Sequence, residues 1–267
     1  MQAGRFDDVT HQYRVPDPLQ VRVHTHLTYQ ERPLDLDSEA ATLLQVNPAT
    51  SVLDAGCGPG VFLRYLRDTG HTGRLAGLDQ SAGMLRAMRD SDTHVEAVVG
   101  DVATLPFADG EFDSTVARHM LYHVPEIPTA LAELQRIARR RMLLSTGSQN
   151  SMPYLMGLLS DVVTEFGMQR QIPVMGRFCT ENAGQWLTQA GLEFEATLLD
   201  NALVFNDPEP IVAYVVSCLP SYSIDTQSDL HAEMQAWLHE RAASDLQIAG
   251  GAIKDPTRVG FYVVNLE

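Results

Sequence analysis

The chain has 267 residues, enough to bury a large core in a single α/β domain with insertions. Its 34 acidic and 19 basic side chains give a formal net charge of −15, which argues against a nucleic-acid partner, because a phosphate backbone calls for a cationic footprint. The three cysteines, Cys57, Cys179 and Cys218, form no C-x-x-C motif, the amino terminus has no signal-peptide core, and the longest apolar run, 211–219, is far short of the roughly 20 residues of a membrane span. A soluble, cytoplasmic protein is expected, and the single lysine, Lys254, fits an arginine-biased bacterial genome.

In chain order, residues 1–50 read as a helical arm. Phe6, Tyr13, Leu19 and Val23 are scattered among polar residues, with Arg22, His24 and His26 between them. Such an arm either packs over the sheet as a lid or is a plain surface segment. Asp37 and Ser38 are expected to open a helix that runs through Leu44. Then comes Val52-Leu53-Asp54-Ala55-Gly56-Cys57-Gly58-Pro59-Gly60, a buried strand entering a glycine turn. A helix should start near Pro59 or Gly60, since Val61, Phe62, Tyr65 and Leu66 follow at helical spacing. The turn reads G-x-G-x-G, not the G-x-G-x-x-G of a dinucleotide site. Asp54, two residues before the first glycine, would repel a pyrophosphate and suit a positive centre such as an amine or a sulfonium.

A second strand, 74–79, ends in Asp79, placed to accept two hydrogen bonds from a ribose diol. Ser81 caps the next helix, with Met84, Leu85 and Met88 on one face. A third strand, 95–99, leads into Gly100-Asp101-Val102. The loop Leu105-Pro106-Phe107 through Phe112-Asp113 enters a fourth strand at 114–117. That strand runs into Arg118-His119-Met120-Leu121-Tyr122-His123-Val124-Pro125. His119 and His123 stand four apart, the spacing of two metal ligands on a helix, but no third ligand is apparent, so no metal is expected. Backbone-held histidines and substrate-facing ones both remain open. An amphipathic helix covers 127–138, Arg139-Arg140-Arg141 reads as its solvated end, and a fifth strand covers 142–146. Beyond it lie a helix at 154–166 with doubled apolar rows, expected to be buried on two sides, a helix stopped by Gly191, and a strand at 193–205. Helices near 209–219 and 229–246 and a last strand at 259–264 complete the chain.

Taken together, D-x-G-x-G-x-G at 54–60, the acid at Asp79, G-D-x-x-x-L-P-F at 100–107 and the H-x-x-x-H-V-P stretch at 119–125 resemble the class I S-adenosylmethionine-dependent methyltransferases of small molecules. The likeness is good over about 50–147 and holds only in outline beyond. It implies a Rossmann-like, doubly wound seven-stranded α/β sheet with an antiparallel last strand and helical cap insertions. Residues 51–267 would form that domain, with insertions near 150–176 and 207–250. It also implies S-adenosylmethionine as cofactor and S-adenosylhomocysteine as product, held by Asp54, Gly56, Cys57, Gly58, Gly60, Asp79, Gln80, Met84, Asp101, Val102 and Arg118, with Tyr13 closing over the donor. His123, then His119, are the candidate bases for a small-molecule O, N or C acceptor. No nucleic acid or membrane is expected as partner, and a homodimer is left open. The competing readings are a regulator or scaffold that binds the cofactor without transferring methyl, and, disfavoured by Asp54, a nicotinamide oxidoreductase.

Overall fold

The structure, a computed structural model, describes residues 17–91, 94–168, 174–219 and 229–266. The described residues divide into two compact units. One is built from 35–149, 174–199 and 259–266, the other from 17–34, 150–168 and the described parts of 200–258.

Strand β1 (Val52–Ala55) is buried along its whole length, as a strand covered on both faces must be. Around it the chain lays down α2 (Leu36–Leu44), α3 (Val61–Asp68), β2 (Leu75–Asp79), α4 (Ala82–Ser91), β3 (Glu96–Val99), β4 (Phe112–Arg118), α5 (Ile127–Ile137) and β5 (Ala138–Gly147). Then follow α7 (Ala183–Gln189), β6 (Glu195–Phe205) and β7 (Ile253–Asn265). The sheet order is β3-β2-β1-β4-β5-β7-β6. Strands β1 to β5 pair in parallel, and β7 runs antiparallel to β5. The chain leaves β1 toward β2 and β3, then returns to put β4 on the other side of β1. The carboxyl ends of β1 and β4 therefore flank the point where strand order reverses, which is where open α/β sheets bind ligands.

Alternation along β1 sorts the core. Leu53 and Ala55 face a layer with Ile127, Leu131 and Leu134 of α5 and Leu187 of α7. Val52 faces the opposite layer, with Ala40 and Leu44 of α2 and Phe62, Leu63 and Leu66 of α3. Asp54 shares the side of Val52, because side chains two apart point the same way.

The helical unit contains α1 (Asp17–Tyr29), α6 (Pro153–Glu165), α8 (Pro208–Cys218) and α9 (Asp229–Ile248). Leu155, Leu158, Val162 and Val163 of α6 pack with Ile211 and Val215 of α8 and Met234, Leu238 and Ala242 of α9. The first turn of α6 would leave backbone donors unmet. Asp255, fully buried, accepts from the amides of Tyr154 and Leu155 through its two oxygens, each at 3.0 Å. No described helix is long and apolar enough to cross a membrane.

Several local expectations shift. Helix α3 begins at Val61 after a left-handed Gly60 (φ 74°), so Pro59 precedes the helix instead of sitting in its first turn. The cap of α2 is Asp35, whose carboxylate accepts from the amides of Asp37 and Ser38. Arg139, Arg140 and Arg141 are not a helix end: they open β5, where Arg139 pairs with Asp113 at 2.9 Å and Arg141 donates to Asn265. Helix α6 buries one face, with Tyr154 and Leu159 only half-buried, so its doubled rows do not mean two covered sides. His119 and His123 do not share a helix face. His119 has left-handed backbone (φ 50°), and His123 ends a single 3-10 turn, Leu121–His123.

Candidate cofactor site

The glycine turn is closed on itself. The amides of Gly56 and Cys57 both donate to the Leu78 carbonyl, at 2.6 and 3.1 Å. The Gly58 amide donates to Asp79 Oδ2 at 2.9 Å, and the Gly60 amide to the Cys57 carbonyl at 3.0 Å. Pro59 has no N–H. Every N–H between 56 and 60 is therefore engaged within the protein, and none is left to cradle a phosphate in the way anion-binding turns do. Gly56 adopts φ 73°, and a methyl placed there would lie 2.7 Å from Met120 Cγ. The turn thus needs glycine for both conformation and space.

Beneath the turn, Asp54 is buried in the sheet, and its Oδ1 has no hydrogen-bond partner among the described residues. Burial pushes its carboxyl up to about 7. Arg118 pulls the other way, while Asp37 and Asp79 push it further. A buried carboxylate without a partner is costly, and a cation arriving beside it would relieve that cost. This fits an ammonium or sulfonium and is hostile to a diphosphate.

Asp79 ends β2 half-buried. Its Oδ1 accepts from the Ser81 amide at 2.8 Å and its Oδ2 from Gly58. Burial raises its carboxyl, and these two amides hold it back. Each oxygen retains a lone pair, so the oriented carboxylate can still receive a diol. Gln80 beside it is exposed, whereas Met84 is buried in α4. Cys57 turns its thiol inward, with Sγ 3.8 Å from Met88 Sδ, so only its backbone borders the crevice. Asp101 is exposed at the end of β3 and accepts from the Ala103 amide at 2.9 Å, while the Val102 side chain is core.

Arg118 ends β4. Its Nη1 meets Asp37 Oδ1 at 2.5 Å, and its guanidinium lies 4.7 Å from the centre of the Phe62 ring. His119 and His123 follow, both half-buried. The His119 amide donates to the Ser145 carbonyl at 2.9 Å, and the His123 ring lies 4.5 Å from that of Tyr122. Tyr13 lies outside the described residues. Asp37, Met120 and Phe62 were not among the sequence candidates. Asp37 reads locally as a helix opener, and its meeting with Arg118, 81 residues on, leaves no local signal.

A methyltransferase-domain family profile matches residues 53–144. The malonyl-[acyl-carrier protein] O-methyltransferase of Pseudescherichia vulneris is 31% identical over 181 residues, 67% of this chain and 69% of that protein. The demethylmenaquinone methyltransferase of Renibacterium salmoninarum is 28% identical over 185 residues, 69% of this chain and 73% of that protein. Further curated relatives align over only 29–43% of their own length. Among solved structures, phospholethanolamine N-methyltransferase 2 of Haemonchus contortus, in complex with phosphomonomethylethanolamine and S-adenosylhomocysteine, superposes with a TM-score of 0.58 at 13% identity. That superposition covers 98% of this chain and 60% of that one, and it speaks for the fold.

Proposed function

Since the chain belongs to the class I S-adenosylmethionine-dependent methyltransferases, we propose that it methylates a small-molecule acceptor, with the donor seated at the carboxyl ends of β1, β2 and β4. The protein is a methyltransferase, and S-adenosylmethionine is its cofactor. The observation that carries the site assignment is the buried, unpartnered Asp54 carboxylate under a turn with no amide left for an anion.

The bound cofactor supplies an electrophilic methyl on a sulfonium. The protein's part is to bind, orient and exclude water, and proximity and orientation alone are worth about 7–11 kcal/mol. In this reading Asp79 holds the ribose diol, Asp101 and the Val102 amide meet the adenine edge, and Gly56 and Gly58 let the ligand approach the backbone. His123, or failing it His119, takes the proton of an acceptor that arrives as a hydroxyl or ammonium. Relatives of similar identity carry the names of a malonyl-[acyl-carrier protein] O-methyltransferase and of a demethylmenaquinone methyltransferase. The acceptor atom is therefore not carried over from either. The formal net charge of −15 supports an acceptor other than a nucleic acid, and a soluble, cytoplasmic enzyme is part of the same proposal. A homodimer is the oligomeric form to look for.

The test is calorimetric titration of S-adenosylmethionine and NADH into the wild type and Asp79→Ala. Micromolar S-adenosylmethionine binding that Asp79→Ala abolishes is expected. NADH binding without S-adenosylmethionine binding would overturn the assignment.

A further inference from the structure

The space above Gly56 is already taken. A methyl placed on Gly56 would meet Cβ, Cγ and Cε of Met120 at 2.9, 2.7 and 2.9 Å, so that side chain is folded over the turn from its root to its tip. The backbone fixes it there. His119, the first residue past β4, is left-handed (φ 50°), which is uncommon for a residue that carries a side chain, and Met120 follows it back over the end of β1. The His119 amide donates to the Ser145 carbonyl and the His123 amide to the Met120 carbonyl, each at 2.9 Å, so Met120 is pinned on both sides. Met88 fills the space above Gly60 in the same way, but it is a core side chain, 1% exposed. Met120 is only half-buried. One side of it packs on the core layer that holds Leu53 and Ala55. The rest lies at the carboxyl ends of β1 and β4, and in the chain it stands between His119 and His123, the two candidate bases. An apolar side chain held at that place acts on a bound donor through its volume.

We propose that Met120 sets the size of the group that the site accepts for transfer, leaving room on the sulfonium for a methyl and not for a longer alkyl chain. This rests on the cofactor reading above. Met120 meets a donor seated over Gly56 on the side from which an acceptor reaches it, because His119 and His123 flank Met120. The pinned backbone keeps the side chain from backing away, and a packed wall tolerates an added methylene poorly.

The test is calorimetry with three ligands that differ only in the substituent on sulfur: S-adenosylhomocysteine with none, S-adenosylmethionine with a methyl, and its S-ethyl analogue. The last two are both sulfonium ions, so charge is held constant between them. The wild type should prefer methyl to ethyl by about 10-fold or more, the discrimination that one methylene commands in a close-fitting pocket. Met120→Ala should bring the two within about threefold of each other, with S-adenosylhomocysteine binding within about threefold of wild type. Met120→Leu, of similar volume, should keep most of the preference. A variant that merely loosened the core under the turn would weaken all three ligands alike and leave the methyl-to-ethyl ratio unchanged, and that result would overturn the proposal. So would a wild type that binds the methyl and ethyl forms equally, although the cofactor reading would survive it. A folded wild type that binds none of the three would instead overturn the cofactor reading itself. Should Met120→Ala fail to fold, Met120→Val carries the test, with the preference expected to shrink about threefold.

Discussion

Replacing Asp54 by asparagine should stabilise the ligand-free protein, and more so as pH rises. The carboxyl is lifted from its ordinary 3.8 to about 7 chiefly by burial. Below pH 3.8 the group is protonated in both folded and unfolded chains and contributes nothing. As pH rises above that, the unfolded chain releases its proton while the native site keeps it, so native stability falls until about pH 7. Roughly three units at about 1.4 kcal/mol each give a penalty of about 4 kcal/mol at and above pH 7, against less than half of that near pH 5. An amide of the same shape has no charge to desolvate. In urea titrations, Asp54→Asn should therefore gain about 2–3 kcal/mol on the wild type between about pH 5 and pH 8, while losing affinity for S-adenosylmethionine. A stability difference that stays flat over that range would refute the reasoning, because it would mean that the native carboxyl ionises as freely as the unfolded one.

Two further outcomes are expected. Asp255→Ala deprives the first turn of α6 of two amide partners and should cost about 3 kcal/mol or more in urea unfolding, with Asp255→Asn losing part of that; an unchanged midpoint would exclude the capping role. His71 is buried at the end of α3, and burial, with Arg67 adding to it, lowers its pKa against an opposing pull from the Thr50 carbonyl. As pH falls below 6.5 the unfolded chain protonates first, so stability should drop there, and His71→Gln should flatten that drop in thermal melts.

What the sequence made readable was whatever is written locally. The apolar strand entering D-x-G-x-G-x-G, the acid closing β2 and the helical periodicity of α5 each reflect short-range constraints, and each lies where the pattern puts it. Interpretation failed where a distant partner decides the outcome. Three consecutive arginines look like a solvated helix end, yet the pairing of β5 with β4 and β7 draws them into a strand. A four-residue spacing of histidines suggests one helix face, but the chain turns through a left-handed His119 before a single 3-10 turn. Asp37 belongs to the site through Arg118, and Asp54 is unpaired only because of how the surrounding layers pack. No window of residues displays either fact.

The closed turn also bears on ligand design. Because its amides are consumed by Leu78, Cys57 and Asp79, the loop is rigidly tied before any ligand arrives, and a phosphate or sulfonate added to an inhibitor would find no donors there. Tight-binding analogues of this enzyme should instead carry neutral or cationic groups over the turn. Swapping Asp54 for a neutral residue would not by itself convert the site to a dinucleotide, since the hydrogen bonds that a pyrophosphate needs would still be pointing into the protein.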